Sequence, residues 1–293
     1  MPELPEVETT VRNLNKNRAL KILNARFLDV WTDTPKIIHK EFNDFRKSIK
    51  GKKILKVWRR GKNIILDLSG GFSLLIHQKL TGHLLIGHWS LINNHWQPKE
   101  KGPLEEQVNR YIHLMFWLSN DLMLALSDLR KFAKVELWKT KELLDSKEFK
   151  KLGPEPLEKD FTFGRFKEIL ANKKGKIKQV LMNQEIIAGI GNIYSDEALW
   201  QAKINPFKDV SKLNQDEFRK LYSAIQQVLK IGIKLGGESF SDYRTPEGKK
   251  GNFDAERKVY RREGEKCRRC GTIIKRVKIS GRSAYYCPNC QKP

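Results

Sequence analysis

Apolar residues follow two different rhythms along this chain. Leu4, Val7, Val11 and Leu14 recur at the spacing of one helix face. Pro5 suits the start of a helix, where its missing N–H costs nothing, and Glu6 and Glu8 suit the positive end of the helix dipole. The pattern predicts a short helix after an extended N-terminal tripeptide. From Lys52 the rhythm shortens to KKILKVW, NIILDL, FSLLIH, HLLIGHW, YIHLMFWLS, DLMLALSD and KVELW, punctuated by Gly61, Gly70–Gly71 and Asn120–Asp121. Many short strands with turn signals predict a β-sandwich or barrel reaching Lys139. Residues 93–109 are polar and read as a surface loop. LGPEPLEKD (152–160) carries two prolines and reads as part of a linker over 140–160. Beyond it FGRFKEILAN, KIKQVLMN, SDEALWQA and DEFRKLYSAIQQVLKIGIKLG carry apolar stripes at helical spacing. The expected organisation is an α+β multidomain chain: a β-rich domain at 1–139, the linker, a helical domain at 161–235 and a loop-rich basic region at 236–293.

Charge changes the picture next. The 293 residues include 57 Lys and Arg against 34 Asp and Glu, a formal charge of +23. Such an excess points to a polyanionic partner, nucleic acid before a membrane surface, with a charged solubility surface as the alternative. The most apolar stretch is broken by His113, Asn120 and Asp121, so it reads as two strands and a turn rather than a membrane span. The acidic N-terminus has no apolar segment of the kind a signal peptide needs. A cytoplasmic, nucleoid-associated protein is expected.

All four cysteines fall in two knuckles, CRRC (267–270) and CPNC (287–290), sixteen residues apart. Each knuckle can bend two thiolates onto one tetrahedral Zn²⁺. With Cys267, Cys270, Cys287 and Cys290 as ligands the set is full, so one structural zinc ion is expected and no open position remains for catalysis. Between the knuckles, IIKRVKISGRSAYY reads as two strands around a Ser280–Gly281 turn, a hairpin carrying Arg276, Lys278 and Arg282. Upstream, IAGIGNIYSDEALW places Gly189, Gly191 and Asn192 between two helical stretches. The second helix can then present its N-terminal amides to a phosphate, helped by the lysines at 173, 174, 176 and 178; an ordinary glycine turn is the alternative.

Together these motifs resemble the formamidopyrimidine-DNA glycosylases, a family in the superfamily shared with endonuclease VIII. The resemblance rests on PELPEVET at the start, RRGK (59–62), DLRKF (128–132), LGPEPL (152–157), NQEIIAGIGNIYSDE (183–197), GGESFSDY (236–243) and the paired knuckles, in family order over essentially the whole chain. It implies an N-terminal β-sandwich with flanking helices, a helix-two-turn-helix domain and a C-terminal zinc-finger β-hairpin held by the four cysteines. It implies a bifunctional DNA glycosylase/AP lyase acting on damaged double-stranded DNA in base-excision repair; nothing in the sequence requires a dimer, so a monomer is expected. By resemblance Pro2, once Met1 is removed, is the amine nucleophile that forms a Schiff base with the sugar. Glu3 is the proton donor that opens the ring, Glu6 orients this centre, Lys62 is the proton donor of β-elimination, and Arg282 acts in the second elimination. Leu80, Arg130 and Phe132 fill the gap left by the flipped nucleotide, and Tyr111, Lys174, Lys178 and Asn192 are the further DNA contacts.

The chain also departs from the family pattern. HQKLTG (77–82) stands for HLGMSG, so Lys79 replaces a glycine and Leu80 the wedge methionine; DLRKFA stands for DPRRFG, and Tyr111 for a histidine. The segment 84–110 is long. The PELPE opening and the GG start of the 236–253 segment, which in relatives closes over the flipped base, favour oxidised purines such as 8-oxoguanine and formamidopyrimidines. An endonuclease VIII-like preference for oxidised pyrimidines or abasic sites, and an inert lesion-binding zinc protein, are the alternatives.

Overall fold

A computed structural model describes residues 1–16, 21–239 and 242–292. They form two compact units, Met1–Lys150 with Leu235–Asp254, and Lys151–Lys234 with Ala255–Pro293. Among the described residues no helix is long and apolar enough to cross a membrane.

The first unit opens with α1 (Leu4–Lys16), β1 (Phe27–Thr32) and α2 (Phe42–Ile49). Strands β2 (Ile54–Arg60), β3 (Asn63–Leu68), β4 (Phe72–His77), β5 (His83–Gly87), β6 (Trp89–Ile92), β7 (His95–Pro98), β8 (Ile112–Leu118), β9 (Met123–Ser127) and β10 (Lys134–Lys139) follow, then α3 (Thr140–Asp145) and α4 (Lys147–Lys150). Two four-stranded sheets result, ordered β1-β8-β9-β5 and β10-β4-β3-β2, every pairing antiparallel. Alternate residues of both sheets meet in one apolar core: Leu114, Phe116, Leu124 and Leu126 from one, Ile64, Leu66, Leu74 and Ile76 from the other. Val7, Val11 and Leu14 of α1 and Phe45 and Ile49 of α2 close its margins. This is the expected sandwich with flanking helices, and each predicted strand run is present.

Three expectations need correction. The polar stretch 93–109 is not a plain loop. Its hairpin β6–β7 lays Trp89 and Trp96 onto Leu85, Ile112, Met115 and Met123, and Trp96 meets Trp31 and Trp117 edge to face. Residues 140–150 are not linker, because Leu143 of α3 is buried with Ile65 and Leu75. Nor is LGPEPL free chain. The Gly153 N–H donates to the Gln184 carbonyl at 2.8 Å, and a Cβ there would lie 2.5 Å from the Ile186 carbonyl.

The second unit contains α5 (Phe163–Ala171), α6 (Ile177–Met182), α7 (Asn192–Ala202) and α8 (Gln215–Lys234). Past the short α9 (Phe253–Glu256) comes the hairpin of β11 (Lys275–Ile279) and β12 (Arg282–Tyr286). Thr162 caps α5 by accepting the Arg165 N–H. Helix α7 is buried along nearly its whole length, an unusual state for a helix bearing Asp196 and Glu197. Both acids accept backbone N–H groups. Asp196 accepts the Tyr285 N–H at 3.0 Å, and Glu197 accepts the N–H groups of Lys258, Val259 and Tyr260 at 2.8–3.0 Å. These bonds bind the zinc-finger segment to the helices. The expected region 236–293 is therefore divided: 235–254 belongs to the first unit and 255–293 to the second.

Candidate active site and nucleic-acid interface

The acidic N-terminus is a helix cap. Glu6, three residues past the cap position, accepts the Glu3 N–H on Oε2 at 2.7 Å. Its other oxygen accepts the Glu238 N–H at 2.8 Å, and its backbone carbonyl accepts the Tyr243 hydroxyl at 3.0 Å. Pro2 is buried, and Glu3 and Glu6 are only 2 % and 1 % exposed. One carboxylate thus fixes the start of α1 and the segment from 237 onward to each other. Gly237 makes this possible. It has φ +84°, and a Cβ there would stand 2.8 Å from the Glu6 carboxylate. The neighbouring Phe240 and Ser241 of GGESFSDY lie outside the described residues.

Lys62 occupies the β2–β3 turn and is buried. Arg59 ties that turn to α1: its Nε contacts Glu8 at 3.1 Å and its guanidinium donates to the Gly61 carbonyl. Burial raises the Glu8 carboxyl, but Arg12 and Arg59 outweigh it and hold the group below its usual range. Beside this turn, His77 pairs with Asn63 across the strands. Burial, with Lys79, Lys62 and Lys134 nearby, drives its pKa down to about 3, so it is neutral and its Nδ1 accepts the Lys79 N–H.

Two turns carry Leu80 and the Arg130–Phe132 pair, and Asp128 organises both. It is 1 % exposed. Oδ2 accepts the N–H groups of Phe132 and Ala133 at 2.7 Å each, and Oδ1 accepts the Thr81 hydroxyl and, at 3.3 Å, the Arg130 N–H. Thr81 in turn accepts the Arg130 N–H at 3.1 Å. Phe132 is left 49 % exposed, with the Arg130 guanidinium 4.8 Å from its ring centre. Leu129 beside it is 48 % exposed, and Leu80 is half-buried in the other turn. An exposed large apolar pair on a rigid turn is suited to insertion into a base stack. Tyr111 adjoins this turn, its carbonyl accepting the Asp128 N–H.

In the second unit Lys174, Lys178, Gln179 and Arg282 line one cleft of about 580 Å³ between α6 and the hairpin. The hairpin turn has φ +48° at Ser280 and +76° at Gly281, the two positive angles of a tight two-residue turn. The Ser280 hydroxyl donates to Gln179 at 2.9 Å. Lys174 and Arg282 are exposed. Lys178 lines the same cleft but is held in place by the protein itself. It is 1 % exposed, and its ammonium donates to Asp196 at 2.5 Å and to the Ser283 carbonyl at 3.1 Å. Burial pushes the Asp196 carboxyl up, although Lys178 and the Tyr285 N–H pull it back. Asn192 opens α7 after Gly189 (φ +89°), and Gln184 shapes that turn by donating to the Ile190 carbonyl and accepting the Gly189 N–H.

The four cysteine sulfurs lie within 4.8 Å of one another, with the closest pairs at 3.4–3.9 Å. A tetrahedral Zn²⁺ with bonds of about 2.3 Å places its sulfurs about 3.8 Å apart, so the set fits one zinc ion. Bound there, the metal cross-links the two knuckles.

His77, Thr81 and Asp128 were not anticipated as site residues. An Asp opening a turn, DLRKF, is the one signal that could have found Asp128.

The fold and these sites define a multidomain α+β class of protein, with an antiparallel sandwich unit and a helical unit that carries a zinc-binding hairpin. The chain belongs to the formamidopyrimidine-DNA glycosylase family. Family models described as "Formamidopyrimidine-DNA glycosylase N-terminal domain", "Formamidopyrimidine-DNA glycosylase H2TH domain" and "Zinc finger found in FPG and IleRS" match residues 1–135, 152–244 and 264–293. Formamidopyrimidine-DNA glycosylases of Pelotomaculum thermopropionicum and Heliobacterium modesticaldum are 40 % and 39 % identical, across the full chain and 99 % and 100 % of their own lengths. Among solved structures, Lactococcus lactis Fpg with DNA containing an abasic site is 35 % identical, with TM-score 0.85 over 99 % of this chain and 100 % of that one. MutM bound to DNA containing carbocyclic 8-oxo-G is 36 % identical, with TM-score 0.85 over both chains in full.

Proposed function

We propose that this chain is a bifunctional DNA glycosylase/AP lyase that removes oxidised purines from duplex DNA in base-excision repair. The observation that carries the reading is the buried Pro2–Glu3 terminus clamped by the Glu6 carboxylate. Removal of Met1 frees the Pro2 amine. An α-amine has a pKa of about 8, so an appreciable fraction is unprotonated at neutral pH. The amine attacks C1′ of the damaged nucleoside, the C1′–N bond breaks and the base departs. Glu3 gives a proton to the ring oxygen as the sugar opens, leaving an imine between Pro2 and C1′. The imine acidifies C2′, whose proton passes to solvent as the C3′–O bond breaks and the 3′-phosphate leaves with Lys62 as proton donor. A second elimination assisted by Arg282 loses the C4′ proton, breaks the C5′–O bond and expels the 5′-phosphate, and water hydrolyses the imine to free the Pro2 amine. Glu6 is a positioning group.

Leu80 and Phe132 wedge into the stack, and Arg130 donates to the orphaned base. The segment 236–253 covers the flipped base. Lys178, Arg282 and the start of α7 at Asn192 hold phosphates, with Asp196 fixing the Lys178 ammonium, and Lys174 and Tyr111 are further DNA contacts. With a net charge of +23, binding weakens steeply with salt. Damaged duplex DNA is the partner, the monomer the acting form and the cytoplasm, at the nucleoid, the place of action.

Borohydride trapping tests this directly. The protein lacking Met1 should be trapped on duplexes with 8-oxoguanine opposite cytosine, and Pro2→Gly should abolish trapping. Trapping confined to oxidised pyrimidines or abasic sites would keep the chemistry and reject the purine assignment. Tight binding with no trapping on any duplex would leave an inert lesion binder.

A further inference from the structure

The long segment between β5 and β8 does more than cover the tryptophan cluster. Past the hairpin β6–β7 it makes two tight turns, Pro103–Glu105 and Gln107–Arg110, which run against residues 244–248. Glu106 accepts the Nε–H of Arg244 at 2.7 Å; Arg244 is 5 % exposed. Arg244 also donates to its neighbour's carbonyl, on Tyr243, at 2.7 Å. Asn109 donates to the Pro103 carbonyl at 2.8 Å and reaches the Gly248 carbonyl at 3.4 Å, while its oxygen faces His83 Nε2 at 2.9 Å. Gly248, with φ +78°, approaches so closely that a Cβ would lie 2.9 Å from the Pro103 carbonyl. The Ile86 N–H at the root of the segment donates to the Pro246 carbonyl at 2.8 Å.

The opposite side of 243–248 is bound to α1, through Tyr243 to the Glu6 carbonyl and Glu247 to Asn13. Residues 243–248 are therefore gripped from two directions, one of them the helix that begins at the proposed nucleophile.

We propose that residues 99–110 are a brace that fixes the base-covering segment, with Glu106 and Arg244 as positioning residues for base excision. This rests on the reading that 236–253 covers the flipped base. The brace governs the step in which a base is held and expelled. It does not govern elimination at a site that has already lost its base. Neither residue reaches the reacting atoms; each acts through the placement of 242–251.

The test is a split between two reactions of the full-length zinc protein. In Glu106→Ala and in Arg244→Met, single-turnover excision of 8-oxoguanine should fall between about tenfold and about a hundredfold, as for a displaced positioning element. Cleavage of a preformed abasic site in the same duplex should stay within about twofold of the parent. Glu106→Ala added to Arg244→Met should cost nothing further, because the pair acts as a unit. Equal loss of both reactions, no loss of either, or additive losses would each overturn the brace. Amide hydrogen exchange without DNA reads it independently: Glu106→Ala should accelerate exchange over 242–251 and at Ile86. If the parent cuts abasic DNA but excises no purine, the functional reading fails, and unchanged exchange in Glu106→Ala is then what rejects the brace.

Discussion

Asp128→Asn is the sharpest single test of how the wedge is built. The native carboxylate accepts the N–H groups of Phe132 and Ala133 on one oxygen and the Thr81 hydroxyl and Arg130 N–H on the other. Hydrogen bonds to a buried charge contribute about 1.5–3 kcal/mol each and do not add. Asparagine keeps the shape but turns one oxygen into a donor. Its remaining oxygen best serves the 2.7 Å pair, which puts the NH₂ against Thr81 and Arg130. The threonine hydroxyl can rotate to accept, whereas the Arg130 amide loses its bond to Oδ1. The expected cost is therefore about 1.5–3 kcal/mol for Asn, and about 3–5 kcal/mol for Ala, which strands every donor. Urea unfolding followed by tryptophan fluorescence reads this well, since Trp31, Trp58, Trp89, Trp96, Trp117 and Trp138 lie in the first unit and Trp200 alone in the second. In excision assays at a temperature where the variant is folded, duplex 8-oxoguanine should be processed about tenfold to a hundredfold more slowly. A single-stranded abasic site, where no stack must be filled, should be cleaved almost as before. Equal slowing on both substrates, or an Asn variant as stable as the parent, would refute the assignment of Asp128 as organiser of the two turns.

Further expectations follow from other contacts. Gly237→Ala adds a Cβ 2.8 Å from the Glu6 carboxylate at φ +84°, so imine trapping should drop sharply and stability by about 2 kcal/mol or more, read by trapping yield and urea midpoint. Lys79 holds φ +54°, so Lys79→Gly should raise stability by about 1 kcal/mol in the same unfolding curve. His77 has its pKa lowered to about 3 in the fold, so between about pH 6.5 and pH 3 the unfolded chain binds a proton that the folded chain refuses. Stability should fall as pH drops through that window, by about 2 kcal/mol between pH 7 and pH 5, and His77→Asn, whose oxygen can take the Lys79 N–H, should flatten the slope. Chelating the zinc should loosen the hairpin carrying Arg282 and abolish tight DNA binding, while the urea transition of the first unit stays in place.

What the sequence disclosed depended on whether the cause was local. The strands of the sandwich and the helices of the second unit were legible because each is specified by its own alternation or stripe. The zinc hairpin was legible because four thiols at knuckle spacing have few other uses. Strand β1 and helix α2 went unread because FLDVWT and FNDFRKSI are short and mixed. The brace was unread for a different reason. Its contacts join Glu106 to Arg244 and Asn109 to Gly248, across more than a hundred positions. Polar side chains between hydrophobic runs look like solvent-facing loop until a partner is known.

The buried charges make the same point more strictly. Lys178 stands in a lysine-rich run, KKGKIKQ, where every cation reads as a phosphate contact, yet helical periodicity turns this one inward beside Ile177 and Leu181. A lone buried ammonium is costly enough that a buried acid must meet it, and Asp196 is that acid. Asp196 in turn needs a second donor, which the Tyr285 N–H supplies, and Glu197 repeats the arrangement with three backbone amides from 258–260. The SDE of NIYSDEALW is thus read twice. It follows Asn192, the proposed phosphate contact at the helix start, and its carboxylates lock that helix to the segment that carries the zinc hairpin. Replacing Asp196 while keeping Lys178 should therefore harm the hairpin more than replacing both with apolar residues of similar size, an ordering that a simple phosphate-contact role for Lys178 does not produce.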